Sequence, residues 1–308
     1  MAGFTYSYKQ IHLLVVQHKS ENTHMDQKYT PAGHASASSI LITLGIGIVA
    51  SLLLSILYII LSQLIPNIWF IAICAFSLGM LLGLAIDLGI RIGKIRNLKA
   101  AVVIACVCGL LAFYMQWVFF DAVMYSQKGF TFNQSSAELK QLLADMGFLF
   151  LHPGILFREI MALNNVGTFS IQGSGNVSGI LLWIIWLGEF LVIIGGSLVV
   201  AWNGQVSKPF SELNDAWMKA RTPNPLIPFV ADKDQFLNEL RNKNFEILKN
   251  HPDAIRQPDY AEVIIYESQG DPTKYVSVVN VTPPSGRNKQ VRKKSVFTHY
   301  FIGNNPPI

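Results

Sequence analysis

The run from Ser39 to Leu64 carries no charged side chain. Roughly 20 helical residues cross the hydrocarbon core of a bilayer, so this run is long enough to span. Three more stretches follow. Ile68 to about Arg91 is interrupted only by Asp87, Ala100 to about Phe120 is free of charge, and about Gly179 to Trp202 carries Glu189 as its single charge. The turn at Pro66-Asn67 makes the first two a helical hairpin. The fold class expected is a polytopic α-helical membrane protein with four transmembrane helices and a small C-terminal α+β domain.

Charge sharpens the division of the chain. Residues 35–202 hold 7 Lys/Arg and 6 Asp/Glu, whereas 203–308 hold 14 and 11. The second density is that of a soluble domain, typically about 25% charged; the first is far below it. This predicts a polar N-terminal tail over 1–38, a membrane domain over 39–202 and a cytosolic domain over 203–308. A disordered chain, a collagen-like rod and an ordinary cytosolic enzyme are excluded. No region is basic enough, with enough interleaved aromatics, for a nucleic-acid groove.

Orientation follows from lysine and arginine placement. The loop Arg91-Ile92-Gly93-Lys94-Ile95-Arg96-Asn97-Leu98-Lys99 has four positive charges and no acid, which marks it as cytoplasmic. Both termini are then cytoplasmic, and in a bacterium the membrane is the cell (inner) membrane. The first apolar run begins near residue 39 and is too long for a signal-peptide core. Met25 is a plausible start. The histidines at 12, 18, 24 and 34 have no metal-ligand spacing and read as solvated tail.

The segment 135–163 is expected on the outer side. Ser135-Ser136-Ala137-Glu138 fits a capping box. It opens an amphipathic helix with Leu139, Leu142, Leu143 and Met146 on one side. Phe148 to Leu151 follows, stopped by His152-Pro153-Gly154, and a second amphipathic piece runs from Ile155 to Leu163. The apolar part is too short to span and reads as an interfacial or re-entrant hairpin. The glycine-rich 167–179 stretch lacks the strand and lysine of a phosphate loop and reads as a connector.

Glu189 is the foremost candidate for function. It lies about 15 Å along the helix from Gly179, near the midplane, where an ionisable group is costly and marks an ion or proton pathway by default. Gln116 and Tyr114 lie at matching depth on the third span and are its candidate partners. The bland alternative is an interhelical hydrogen bond. Asp87 is expected to pair with Arg91 one turn along its own helix. Gly79, Gly83, Gly89, Gly93, Gly195 and Gly196 allow close helix approach, within the bundle or between copies in a homo-oligomer. Cys74, Cys106 and Cys108 lie in apolar runs and read as small buried residues.

In the tail, Phe210 to Ala220 and Asp234 to Lys249 have helical character. Ala261 to Glu267, Lys274 to Val281 and Val291 to Ile302 read as an antiparallel meander. Arg287, Lys289, Arg292, Lys293 and Lys294 cluster at its second turn, a candidate contact for lipid headgroups. No P-loop, nucleophile–base pair or metal spacing occurs, so no cofactor and no metal is expected. The partners expected are the lipid bilayer and a cytosolic protein bound by the tail.

Three functional readings stand at this point. The first is a non-enzymatic scaffold, sensor or accessory subunit whose tail binds that partner. The second is an oligomeric transporter or channel component using Glu189 for protons or cations. The third, with least support, is a membrane enzyme acting on a lipid or outer-side substrate through His152, Arg158, Glu159 or the glycine-rich 167–179 stretch.

Overall fold

The structure is a computed structural model that describes residues 28–65, 67–125, 135–167, 177–222, 226–249, 259–284, 290–304 and 306. It divides into two compact units. One comprises residues 33–206; the other combines the described residues up to 32 with those from 207 onward.

The first unit contains four helices long and apolar enough to cross a membrane. They are α1 (Ala37–Leu64), α2 (Ile68–Gly93), α3 (Leu98–Tyr125) and α6 (Ile180–Asn203). Between the last two come the shorter α4 (Ser136–Leu151) and α5 (Pro153–Val166). Local chemistry sets the boundaries. Ser36 caps α1 by accepting the Ser39 N–H, and Asn67 caps α2 through the amides of Trp69 and Phe70. Lys94, in the left-handed region at φ 57°, ends α2. The expected capping box at Ser135 and Glu138 is present. Pro153 cannot extend α4, and the axes of α4 and α5 meet at 101°.

The spans form a ring in which α1 packs on α2 and α3, and α6 packs on α2 and α3. Small residues bring them together. A side chain at Gly79 or Gly83 would strike the backbone of α6, and one at Gly89 or Gly93 would strike α1. Gly196 faces the backbone of Gly79 and Met80, whereas Gly195 has open space beside it. Ser51 and Ser55 donate from α1 to the carbonyls of Cys108 and Ala112 on α3, at 2.9 and 2.8 Å. Such bonds between apolar helices are worth ~0.6 kcal/mol on average.

Three segments meet at one end of the ring. Gly33 N–H donates to the Arg96 carbonyl (2.8 Å) and Arg96 N–H to the His34 carbonyl (2.9 Å), so the chain before α1 pairs with the α2–α3 loop. The Asp87 carboxylate accepts the backbone N–H of Gln205 just beyond α6. At the opposite end, Asn164 of α5 donates its amide to the Gly179 carbonyl at 3.0 Å and accepts the Gly179 N–H.

The second unit is mixed α/β. β5 (Tyr260–Glu267), β6 (Thr273–Thr282) and β7 (Arg292–Asn304) form the expected antiparallel meander. Two short strands, β3 (Lys219–Arg221) and β4 (Leu226–Pro228), extend it by pairing with β5. Lys28 bridges to Tyr300 on β7. The core is made by Val263, Ile265, Val276, Val278, Tyr300 and the inward face of α7 (Lys233–Arg241).

Two expectations for this unit are corrected. Phe210 to Ala220 is not a helix. Instead β1 (Phe210–Ser211) pairs with β2 (Ala216–Trp217), and the Phe210 and Trp217 rings meet edge to face at 5.0 Å. The intervening Ser, Asn and Asp bond locally in ways that compete with a helix. Ser211 accepts the Asn214 N–H, and Asp215 takes φ 45°. The helix expected to reach Lys249 stops at Arg241. Lys243 turns the chain at φ 59°, and a 3-10 turn over Phe245–Leu248 follows.

Candidate functional site

Glu189 sits on α6 where that helix faces α1 and α3. Its Oε1 accepts from the Tyr58 hydroxyl on α1 and, at 3.3 Å, from the Gln116 amide on α3. Three helices thus contribute one polar group each to a cluster surrounded by apolar side chains. Both bonds end on Oε1, which leaves Oε2 for a further partner. Gln116 is 2% exposed, and its own Oε1 has no hydrogen-bond partner. A buried acceptor left unpaired costs roughly 1–3 kcal/mol, so the site holds an unfilled demand for a donor.

The space beside these groups is a cavity of about 800 Å³. Glu189, Gln116 and Tyr58 line it, together with a wall of aromatic rings from α3 and α6. Trp117 and Trp186 stand edge to face at 4.7 Å, and Phe120 and Trp183 extend the array at 5.9 and 5.1 Å. Trp69 at the start of α2 and Leu163 and Gly167 at the end of α5 complete the lining. The α4–α5 hairpin therefore contributes to the cavity from the end where Asn164 ties it to Gly179.

Tyr114 lies elsewhere. Its hydroxyl donates to the carbonyls of Phe150 (2.9 Å) and Leu149 (3.3 Å) in the last turn of α4, and the Leu149 carbonyl also accepts the His152 N–H. Tyr58 takes the place beside Glu189 that Tyr114 was expected to fill. The sequence carried a usable signal: Tyr58 follows Ser51 and Ser55 at helical spacing, on the face of α1 that meets α3. A tyrosine on a buried small-residue face needs a partner for its hydroxyl.

His152 bonds through Nδ1 to the Phe148 carbonyl at 2.8 Å and stacks on the Phe148 ring. Among the described residues, no group of three or more His, Cys, Asp and Glu side chains is placed to hold a metal ion. Of the basic cluster, Arg287 and Lys289 lie outside the described residues. Lys293 pairs with Glu262 at 2.8 Å, which holds its ammonium above its usual range, and Lys294 is exposed on β7. The tail does contain one strongly perturbed histidine. Burial, then the positive charges of Lys28 and Lys208, push His299 down to about 4. It sits in an irregularity of the β6–β7 pairing at φ 52°, with its N–H on the Ser277 hydroxyl (2.8 Å).

Comparisons with protein-family models, with curated proteins and with solved structures gave no match to this chain.

Proposed function

We propose that the membrane domain handles protons or cations at Glu189, as a component of an oligomeric transporter or channel. One observation carries this reading: the carboxylate lines a cavity as well as bonding Tyr58 and Gln116. An ionisable group at this depth that meets open space can exchange a proton or a cation with it. Dry packing against Gln116 alone would have favoured a purely structural role.

Four spans are few for a transporter acting as one copy, so assembly through lipid-facing helix surfaces is part of the proposal. Gly45, which has open space beside it, suits such a close contact. The orientation with both termini cytoplasmic draws support from the pairing of Gly33 and His34 with Arg96, because it puts the N-terminal flank beside the basic loop. A re-entrant α4–α5 hairpin draws support from Tyr114. That residue lies about 16 Å along α3 from its end, and it holds the carbonyls at the hairpin's bend. The tail, with Lys294 and its neighbours near headgroups or against a cytosolic protein, completes this arrangement.

The test is flux. Purified protein is reconstituted into liposomes loaded with a pH-sensitive dye, and a pH step is applied. The wild type is expected to carry a pH-dependent proton or cation flux that Glu189→Gln abolishes. Absence of flux in the wild type, or unchanged flux in the variant, overturns the reading.

A further inference from the structure

We infer that the cavity beside Glu189 binds an organic ammonium ion with an apolar tail, an inference that rests on the cation-handling reading of this site. The chemistry of the lining narrows the ligand step by step. No Lys, Arg or His is among the residues lining the cavity, while Glu189 supplies a carboxylate. Cations are favoured over anions on charge alone. A bare metal ion is a poor fit, since hard cations take six or more oxygen ligands and most of this lining is apolar. An organic cation matches both parts at once: a charged head for the carboxylate and a hydrocarbon body for the walls.

The head must also carry N–H groups. Gln116 Oε1 is buried without a hydrogen-bond partner, and both bonds to the Glu189 carboxylate end on Oε1, so its Oε2 remains open to a donor, on side chains already joined at 3.3 Å. A primary ammonium donates to both, whereas a quaternary ammonium has nothing to donate. Trp117 and Trp186 are part of the same lining, and tryptophan is the ring that attracts a cation most strongly. The volume of about 800 Å³ falls inside the range of roughly 300–1,000 Å³ that takes drug-sized molecules.

Binding is coupled to protons by this arrangement. When Glu189 is neutral, the arriving ammonium forms its ion pair only as the carboxyl proton leaves to solvent. One proton is released per cation bound. Affinity therefore rises with pH until Glu189 is fully ionised, is flat beyond that point, and falls once the amine itself loses its proton.

The experiment uses the full chain in phosphatidylcholine nanodiscs and follows tryptophan fluorescence. The probes are octylammonium, octyltrimethylammonium and octanol, which share a tail and differ in the head. Octylammonium is expected to bind tightest and to bind more tightly as pH rises. Hydrogen bonds to a charged group predict that Glu189→Gln weakens it roughly tenfold to a hundredfold and removes the pH dependence. Gln116→Leu narrows the gap between octylammonium and octyltrimethylammonium. Should Glu189→Gln fail to fold, Glu189→Asp keeps the charge and must keep the pH dependence at reduced affinity. Equal binding of all three probes, indifferent to Glu189, overturns the inference and identifies the cavity as a site for lipid tails. Proton flux measured without any amine separates the two claims. Flux that needs Glu189 with no selective amine binding defeats this inference alone, and loss of both defeats the cation-handling reading as well.

Discussion

Replacing Gly79 by valine tests whether the helix ring is held by backbone contact. A Cβ at Gly79 would lie 2.6 Å from the Ile193 carbonyl oxygen, 2.9 Å from that of Val192 and 3.0 Å from Ile193 Cα. All three are backbone atoms, so no side chain can rotate away. Ordinary contact begins near 3.4 Å, so α6 must retreat by up to 0.8 Å, the difference between 3.4 and 2.6 Å. Overpacking of this kind costs about 1–3 kcal/mol, and a rigid obstacle argues for the upper half. The gain in helix propensity over glycine returns only a few tenths of a kcal/mol. The net loss is about 2 kcal/mol. In a unit of this size that lowers the midpoint of thermal unfolding by roughly 4–8 °C. Gly195→Val is the matched control, because nothing lies within 4 Å of its Cβ position. Buried Cys108 supplies the assay. With Cys74 and Cys106 changed to alanine, a thiol-reactive fluorophore reports its exposure on heating in detergent. An equal drop for both glycines, or none for Gly79, refutes the packing argument.

Two further predictions concern the tail. Asn280 is buried and bonds both backbone groups of Val230, at 3.1 and 2.8 Å. Asn280→Ala leaves those groups unpaired and is expected to cost about 2–5 kcal/mol, read as faster amide exchange across β6; exchange within twofold of wild type contradicts this. His299 is depressed to about 4 from a reference of 6.5, so between those values the unfolded chain binds the extra proton. The stability contribution is fully present above pH 6.5 and is lost as pH falls through 4. The shift alone corresponds to about 3 kcal/mol, and partial solvent exposure reduces this to roughly half. His299→Asn, which tolerates the left-handed backbone, should flatten the acid side of the stability curve; an unchanged slope counts against the assignment.

The membrane spans were legible because their signal is one of composition. A charge-free run of this length has few alternatives, and the expected bounds lie within a few residues of α1, α2 and α6, with α3 running slightly longer. The meander was legible because β-branched and aromatic runs stood between turn residues. Phe210 to Ala220 misled because its apolar residues fit a helical stripe, while the Asn214 side chain that helps hold the β1–β2 turn donates across to Ser268 and Gln269. Those are long-range contacts that no local window contains. Glu189 stood out by its charge, and Gln116 by depth. Tyr58 was missed because counting residues fixes depth but not rotation about the helix axis. The cavity itself was invisible to sequence. It depends on how the four spans pack together, with Leu163 and Gly167 of the α4–α5 segment adding to the lining.

On the proton-handling proposal, the Glu189 carboxyl group exchanges its proton with the surroundings instead of serving as a fixed interhelical bond. Infrared difference spectroscopy on the full chain in lipid reads this directly, through the carboxyl C=O stretch that Glu189→Gln removes. The expected result is a band that is lost as pH rises and returns as pH falls, reversibly, while the protein stays folded. A Glu189 band that holds constant across the whole pH range of the folded state would contradict it.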